Sequence, residues 1–194
     1  MEVSIRPATP ADIGDLTRYQ MASYGGYAEV MYDDAVPGLS PRQILEMRFE
    51  QDGTTFHFAH GRMAEVGGEL AGGAHAYPVD DESDDPPDHF IPRDRLYYFA
   101  PLEGLTLPGS YYLNVISVES AFRGQGVGRR LLEHVMGEGR EAGFDKISLL
   151  AFEANSAAVG LYRSLGFEEL KRRPVVPHPA LMHEGSILLM AANL

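Results

Sequence analysis

Apolar and polar positions keep the clearest periods in the second half of the chain. Leu113-Asn114-Val115-Ile116-Ser117-Val118 is a short apolar run with strand character. Beyond it, Val127, Leu131 and Val135 fall on one helical row and Leu132 and Met136 on the next, with Arg129, Arg130, Glu133, Glu138 and Arg140 on the wet side. Gly143 is placed to end that helix. Ile147 to Phe152 is apolar on both faces, the pattern of a central strand. Asn155 predicts the cap of a short helix over 157–165, closed by Gly166, and 167–170 and 186–190 read as closing strands.

The first half is patterned mainly as strands. Val3-Ser4-Ile5-Arg6 alternates, and Thr9-Pro10-Ala11-Asp12 opens a helix whose inner side carries Ile13, Leu16 and Gln20-Met21. Tyr24-Gly25-Gly26-Tyr27 breaks it. Ser40-Pro41 starts a second helix through Phe49. Residues 56–60 and 63–66 read as one strand or two, turning at Gly67-Gly68 into an antiparallel return over 70–79. Gly72 and Gly73 there weaken the strand or mark a bulge. Residues 80–95, with six acids around Pro86-Pro87, predict a mobile loop. Residues 96–112, holding Tyr97-Tyr98-Phe99 and Tyr111-Tyr112, predict an insertion with aromatic packing. Strands followed by strand–helix–strand imply one α/β (α+β) domain over 1–194, a mixed, mostly antiparallel sheet flanked by helices.

Composition narrows the partners. Sixteen basic against 28 acidic residues give net −12, which disfavours nucleic acid. With no cysteine, disulfides and a cysteine nucleophile are excluded. The N-terminus lacks the pattern of a signal peptide and no apolar run reaches membrane-spanning length, so a cytoplasmic location away from membranes is expected, with a homodimer left open. Metal binding is not expected: His57 and His60 would face opposite sides of a strand, and the acidic loop lacks calcium-loop spacing.

Arg123-Gly124-Gln125-Gly126-Val127-Gly128 lies between a strand and a helix start. Free first-turn N–H groups and the positive dipole end make such a turn an anion cradle, and glycines let a pyrophosphate approach the backbone. A Walker loop fails because Arg129 follows Gly128. A Rossmann fingerprint counted from Gly124 also ends on Arg129. Arg-x-x-Gly-x-Gly fits, and a glycine turn with no ligand is the alternative.

Val118 through Gly128, the Leu131-Leu132 helix and Asn155-Ser156-Ala157-Ala158-Val159-Gly160-Leu161-Tyr162-Arg163-Ser164-Leu165-Gly166-Phe167 together resemble the acetyl-CoA core of the GNAT N-acetyltransferase superfamily. That core spans about 113–170. The resemblance implies two splayed cofactor strands, with the pantetheine arm of acetyl-CoA pairing with the backbone of Ile116, Ser117 and Val118. It also implies the pyrophosphate on the amides of Arg123, Gly124, Gln125, Gly126, Val127 and Gly128, and the thioester carbonyl near the Val118 N–H. Asn155, a helix cap, would also contact the pantetheine. Tyr162 would be the catalytic acid that protonates the departing thiolate, its other role being that of a core tyrosine. Arg123 either screens phosphate or matters only through its backbone. The general base is not identified: Glu119 lies at the end of the cofactor strand, with a solvent-facing role as the alternative, and His75, His178 and His183 are candidates to line the acceptor pocket, with structural or exposed roles as theirs.

The resemblance further implies direct acetyl transfer to a primary amine of a small molecule or peptide, with a cationic acceptor mildly favoured by the net charge. The alternatives are a non-catalytic acyl-CoA-binding sensor and a different acyl group. The acceptor pocket would form from Tyr24–Tyr27, the aromatic insertion and the turn 174–183, with Tyr27, Tyr98 and His178 as substrate-binding candidates.

Overall fold

The computed structural model describes residues 2–79 and 89–194. Among them, the strands are β1 (Val3–Pro7), β2 (Gly61–Val66), β3 (Glu69–Val79), β4 (Ser110–Val118), β5 (Lys146–Phe152), β6 (Glu168–Pro174) and β7 (Ser186–Asn193). They form one sheet in the order β1-β2-β3-β4-β5-β7-β6, antiparallel throughout except for the β4–β5 pair. The helices are α1 (Ile13–Tyr24), α2 (Tyr27–Tyr32), α3 (Pro41–Glu50), α4 (Val127–Glu141) and α5 (Ser156–Ser164). None of the described helices is long and apolar enough to cross a membrane.

Each face of the sheet carries its own core. Val127, Leu131, Leu132 and Val135 of α4 pack on Ala71, Ala74 and Ala76 of β3, whose small side chains let the helix sit close. On the other face, Leu16 and Tyr19 of α1 and Phe49 of α3 pack around Met63 and Val115. Gly73 completes that contact, because a Cβ there would lie 2.9 Å from the Tyr19 ring. β5 is central, as its two-sided apolar pattern requires. β6 is fully exposed and carries Lys171, Arg172 and Arg173, charges suited to an edge strand.

Several expectations are corrected. Residues 56–60 do not form a strand: a 3-10 turn spans Phe58–His60 and β2 begins at Gly61. Aromatic enrichment there serves packing against Phe49 rather than a pleat. Tyr111 and Tyr112 belong to β4, not to an insertion. The expected mobile loop lies outside the described residues over 80–88, and its end is ordered, because 3-10 turns occupy Arg93–Tyr98 and Ala100–Leu102. α2 has no periodicity to betray it: Tyr27, Ala28, Val30, Met31 and Tyr32 are all buried. Gly72 does neighbour a bulge, the β2–β3 register shifting between Ala64 and Glu65.

Candidate active site

The site begins with a parting of strands. β4 and β5 pair only from Tyr111↔Ile147 to Leu113↔Leu149. Beyond that, β4 stays on β3 as far as Val118↔Gly72, and β5 stays on β7 as far as Phe152↔Ile187. The sheet therefore opens between Asn114–Val118 and Leu150–Phe152, leaving backbone polar groups on the inner edge of β4 without a strand partner. A cavity of about 860 Å³ lies there.

A bulge starts the divergence. His75 pairs with Val115 and Ala76 with Leu113, so Asn114 is the extra residue. The side chains exchange faces across it: Tyr111 and Leu113 pack toward α4, Val115 toward α1 and α3. Asn114 lines the cavity, and its Nδ2 lies 3.4 Å from His75 Nδ1. His75 Nε2 sits 3.2 Å from the His57 carbonyl, which can only accept, so the ring proton is on Nε2 and Nδ1 accepts from Asn114. That leaves Asn114 Oδ1 as the free end of the amide. Complete burial holds the His75 pKa down to about 3, so the ring is neutral at physiological pH.

At one end of the cavity lies the glycine turn. Gly124 and Gly126 take φ values of 72° and 87°, in the left-handed region where glycine is favoured, and a Cβ on either would meet nothing within 4 Å. Gly126 is the N-cap of α4, and the first helical bond runs from the Arg130 amide to the Gly126 carbonyl. The amides from Gly124 to Arg129 find no carbonyl partner among the described residues, and they converge where the helix dipole is positive. Gly128 is constrained differently: a Cβ there would touch Leu161 and Val118, both at 3.4 Å.

Ile116, Ser117, Val118, Arg123, Gly124, Gly126, Val127, Gly128, Asn155 and Tyr162 all line this one cavity. Gln125 does not line it, since its Nε2 donates to the Ala121 carbonyl at 2.7 Å. Arg123 Nε donates to the Val118 carbonyl at 3.0 Å, so that side chain folds back on the strand end. Asn155 Oδ1 accepts from the Ala158 amide at 3.2 Å, which leaves its Nδ2 uncommitted. Tyr162 is buried beside Phe167, with no hydrogen bond from its hydroxyl, and burial pushes its pKa up to about 12. It is a protonated phenol at any working pH.

The opposite end is aromatic. Tyr27 and Phe99 are among its lining residues, whereas Tyr98 and His178 stand behind it, edge to face at 4.8 Å. Tyr97 is exposed and Tyr111 faces the α4 core, so neither lines the cavity, while Tyr112 does. Three segments meet at this end. The Met182 amide donates to the Gly25 carbonyl at 2.8 Å, which joins the α1–α2 break to the β6–β7 loop. Arg95 Nη1 reaches the Val30 and Met31 carbonyls, joining residues 93–102 to α2.

The proposed general bases fare poorly. Glu119 accepts from the Tyr19 hydroxyl at 2.8 Å and pairs with Arg18 at 2.6 Å, and these contacts lower its pKa. His178 Nδ1 accepts from the Ala180 amide, His183 packs on the Phe152 ring, and His75 is sealed in the sheet.

A strand pair that parts onto an amide-lined helix start matches a known group of proteins. The model of the Acetyltransferase (GNAT) family matches residues 24–167. The chain belongs to the GNAT acetyltransferase family. It is 38% identical over 96 residues to a [ribosomal protein bS18]-alanine N-acetyltransferase of Salmonella typhimurium, covering 50% of this chain and 64% of that protein. The curated relatives it matches are covered over 19% to 64% of their own lengths. Among solved structures, a ribosomal-protein-alanine N-acetyltransferase of Brucella melitensis superposes with TM-score 0.59 at 26% identity, over 98% of this chain and 99% of the other. A NatC complex bound to Gag peptide and CoA has a chain of the same fold, with TM-score 0.57 at 18% identity over 100% and 99% of the two chains.

Proposed function

We propose that this chain transfers the acetyl group of acetyl-CoA to a primary amine of a peptide or small molecule. The observation that carries it is the opening of β4 from β5 onto the amide cradle at Gly124–Arg129, with a buried phenol on the same cavity. Named relatives that acetylate the alanine amine of a ribosomal protein lend support.

The residues fit acetyl-CoA. A volume of about 860 Å³ is within the range of cofactor sites. The free amides of the α4 start would hold the pyrophosphate, and the unpaired edge of β4 would take the amides of the pantetheine arm. Acetyl-CoA supplies an acyl group activated as a thioester. Within the protein, the inner β4 backbone places N–H groups where they can polarise that carbonyl. Asn114 Oδ1 accepts an N–H of the incoming amine and turns its lone pair toward the carbonyl carbon. As the C–N bond forms and the C–S bond breaks, the Tyr162 hydroxyl gives its proton to sulfur and regains one from the amine through water. No side chain bonds covalently to the acetyl group.

Two variants test this together. Gly126→Val places a branched side chain in the cradle and strains a left-handed φ, so it should abolish thermal stabilisation by CoA. Tyr162→Phe should keep that stabilisation and lose about 10²-fold in kcat. Retained stabilisation in Gly126→Val displaces the site. CoA binding without turnover of any amine indicates a sensor instead.

A further inference from the structure

The two ends of the cavity differ in chemistry. Among the described residues, its charged lining is Arg123 and Arg129, both at the glycine turn, with no Asp or Glu. The far end is walled by Tyr27, Met31, Phe99, Leu102, Phe152 and Ile187. Tyr27 lies between Phe99, at 5.4 Å, and Phe152, stacked at 6.0 Å. Its side chain is 5% exposed and its hydroxyl has no hydrogen-bond partner. That hydroxyl is sealed away from the cavity, so what Tyr27 offers to a bound molecule is its apolar ring.

Two of these wall residues, Phe99 and Leu102, come from residues 93–105, which are tied to the rest of the chain. Arg95 Nη1 donates to the Val30 and Met31 carbonyls at the C-terminal end of α2. Lys171 Nζ donates to the Gly104 carbonyl at 3.1 Å, Leu105 is 1% exposed, and Tyr98 rests on His178. Phe99 and Leu102 are therefore fixed wall, present before any acceptor arrives.

Such a wall also acts on protonation. The attacking amine must be neutral, and an apolar end without a carboxylate disfavours the charged form. An α-amine, with a pKa near 8, gives up its proton more readily than a lysine-type amine near 10.4, by a factor of a few hundred. Glu119 and His75 are committed elsewhere, so desolvation favours the neutral amine before it attacks.

We infer that the acceptor is an α-amine beside a large apolar side chain, and that Phe99 and Leu102 set this preference. The inference rests on the acetyl-transfer reading above. It replaces the cationic acceptor suggested by the net charge, because no carboxylate is among the described residues that line the cavity. The same chemistry occurs at a peptide N-terminus and in a free amino-acid amide.

Release of CoA is measured with the whole protein and a panel of acceptors. The panel holds peptides of one sequence starting with Phe, Leu, Ala or Ser, an N-terminally blocked peptide with one lysine, phenylalaninamide and spermidine. Phe- and Leu-first peptides should exceed Ala- and Ser-first peptides by roughly 10- to 100-fold in kcat/KM, with the blocked lysine peptide and spermidine lower still. Phenylalaninamide equal to the Phe-first peptide assigns the site to free amides, and a much poorer rate assigns it to peptides. Phe99→Ala and Leu102→Ala should each shrink the Phe-over-Ala ratio while leaving the acetyl-CoA KM unchanged. Leu102, being only partly buried, gives a variant that keeps the fold if Phe99→Ala does not. Turnover with no preference for the apolar first residue, or with spermidine best, overturns the inference alone. An unchanged ratio in a folded variant does the same. No turnover of any amine overturns the acetyl-transfer reading with it.

Discussion

Tyr162 shows what burial does to a side chain meant to give a proton. An exposed phenol loses its proton near pH 10, whereas this one is held to about 12 by desolvation. As the proposed acid it stays protonated and neutral throughout the practical range, so kcat should show no alkaline limb below pH 10 assignable to it. A fall in a chemistry-limited kcat centred between pH 8 and 9, absent from Tyr162→Phe, would contradict that role. The helical position of Tyr162 after Asn155 was legible in the sequence. Asn114 was legible only as one of two polar residues, with Ser117, in an apolar run, because its significance comes from a bulge that depends on β3. Phe99 was legible only as one ring of an aromatic insertion. Its place against Tyr27 is made by Arg95 reaching across to α2.

Among the elements, the α1–α2 break carries the most consequence. Gly25 and Gly26 both have positive φ, and a Cβ on Gly26 would lie 2.0 Å from the Ala180 carbonyl oxygen. Two glycines thus let the β6–β7 loop dock directly on the backbone beside Tyr27, which lines the cavity. Gly26→Ala adds a clash with backbone to an unfavourable φ. It should cost about 1–3 kcal/mol in urea unfolding and raise the amine KM more than that of acetyl-CoA. Gly124→Ala has the same φ problem with open space around it and should cost less. Equal losses for the two would mean that Ala180 yields freely. The glycine pair was visible as a helix break. The loop that fills it, some 150 residues later in the chain, could not be seen from local pattern.

Over the whole molecule, acid is the condition that should find the weak points. Asp12 is 6% exposed and takes two hydrogen bonds from Arg6, at 2.9 Å each, which hold its carboxyl well below the usual carboxylate range. Its folded pKa lies below its unfolded one, so the stability it adds is present above about pH 4 and is lost as pH falls through the folded value. His75 adds a second loss. Its neutral form is kept by burial to about pH 3, while the unfolded ring takes a proton near 6.5, so the folded state weakens between those limits. Arg6→Met should cost about 1–2 kcal/mol at pH 7, less than a fully buried pair because Arg6 is partly exposed. The gap to the parent should close below pH 4. A gap independent of pH from 7 to 3 would assign the loss to packing.

Local chemistry determined the glycine turn, both helices that follow it, the two-sided apolar strand β5 and the family the chain resembles. Each rests on spacing within a few residues: 3.6-residue periods, a capping Asn155, glycine at a left-handed position. What only the tertiary structure decided are relations between distant segments. They include the separation of β4 from β5 after Leu113, the Asn114–His75 pair that fixes an amide, and the removal of Glu119 to Arg18 and Tyr19. They also include a cavity wall that carries no carboxylate among the described residues. Net charge is a sum over the surface, whereas the acceptor meets only the few side chains that packing turns inward.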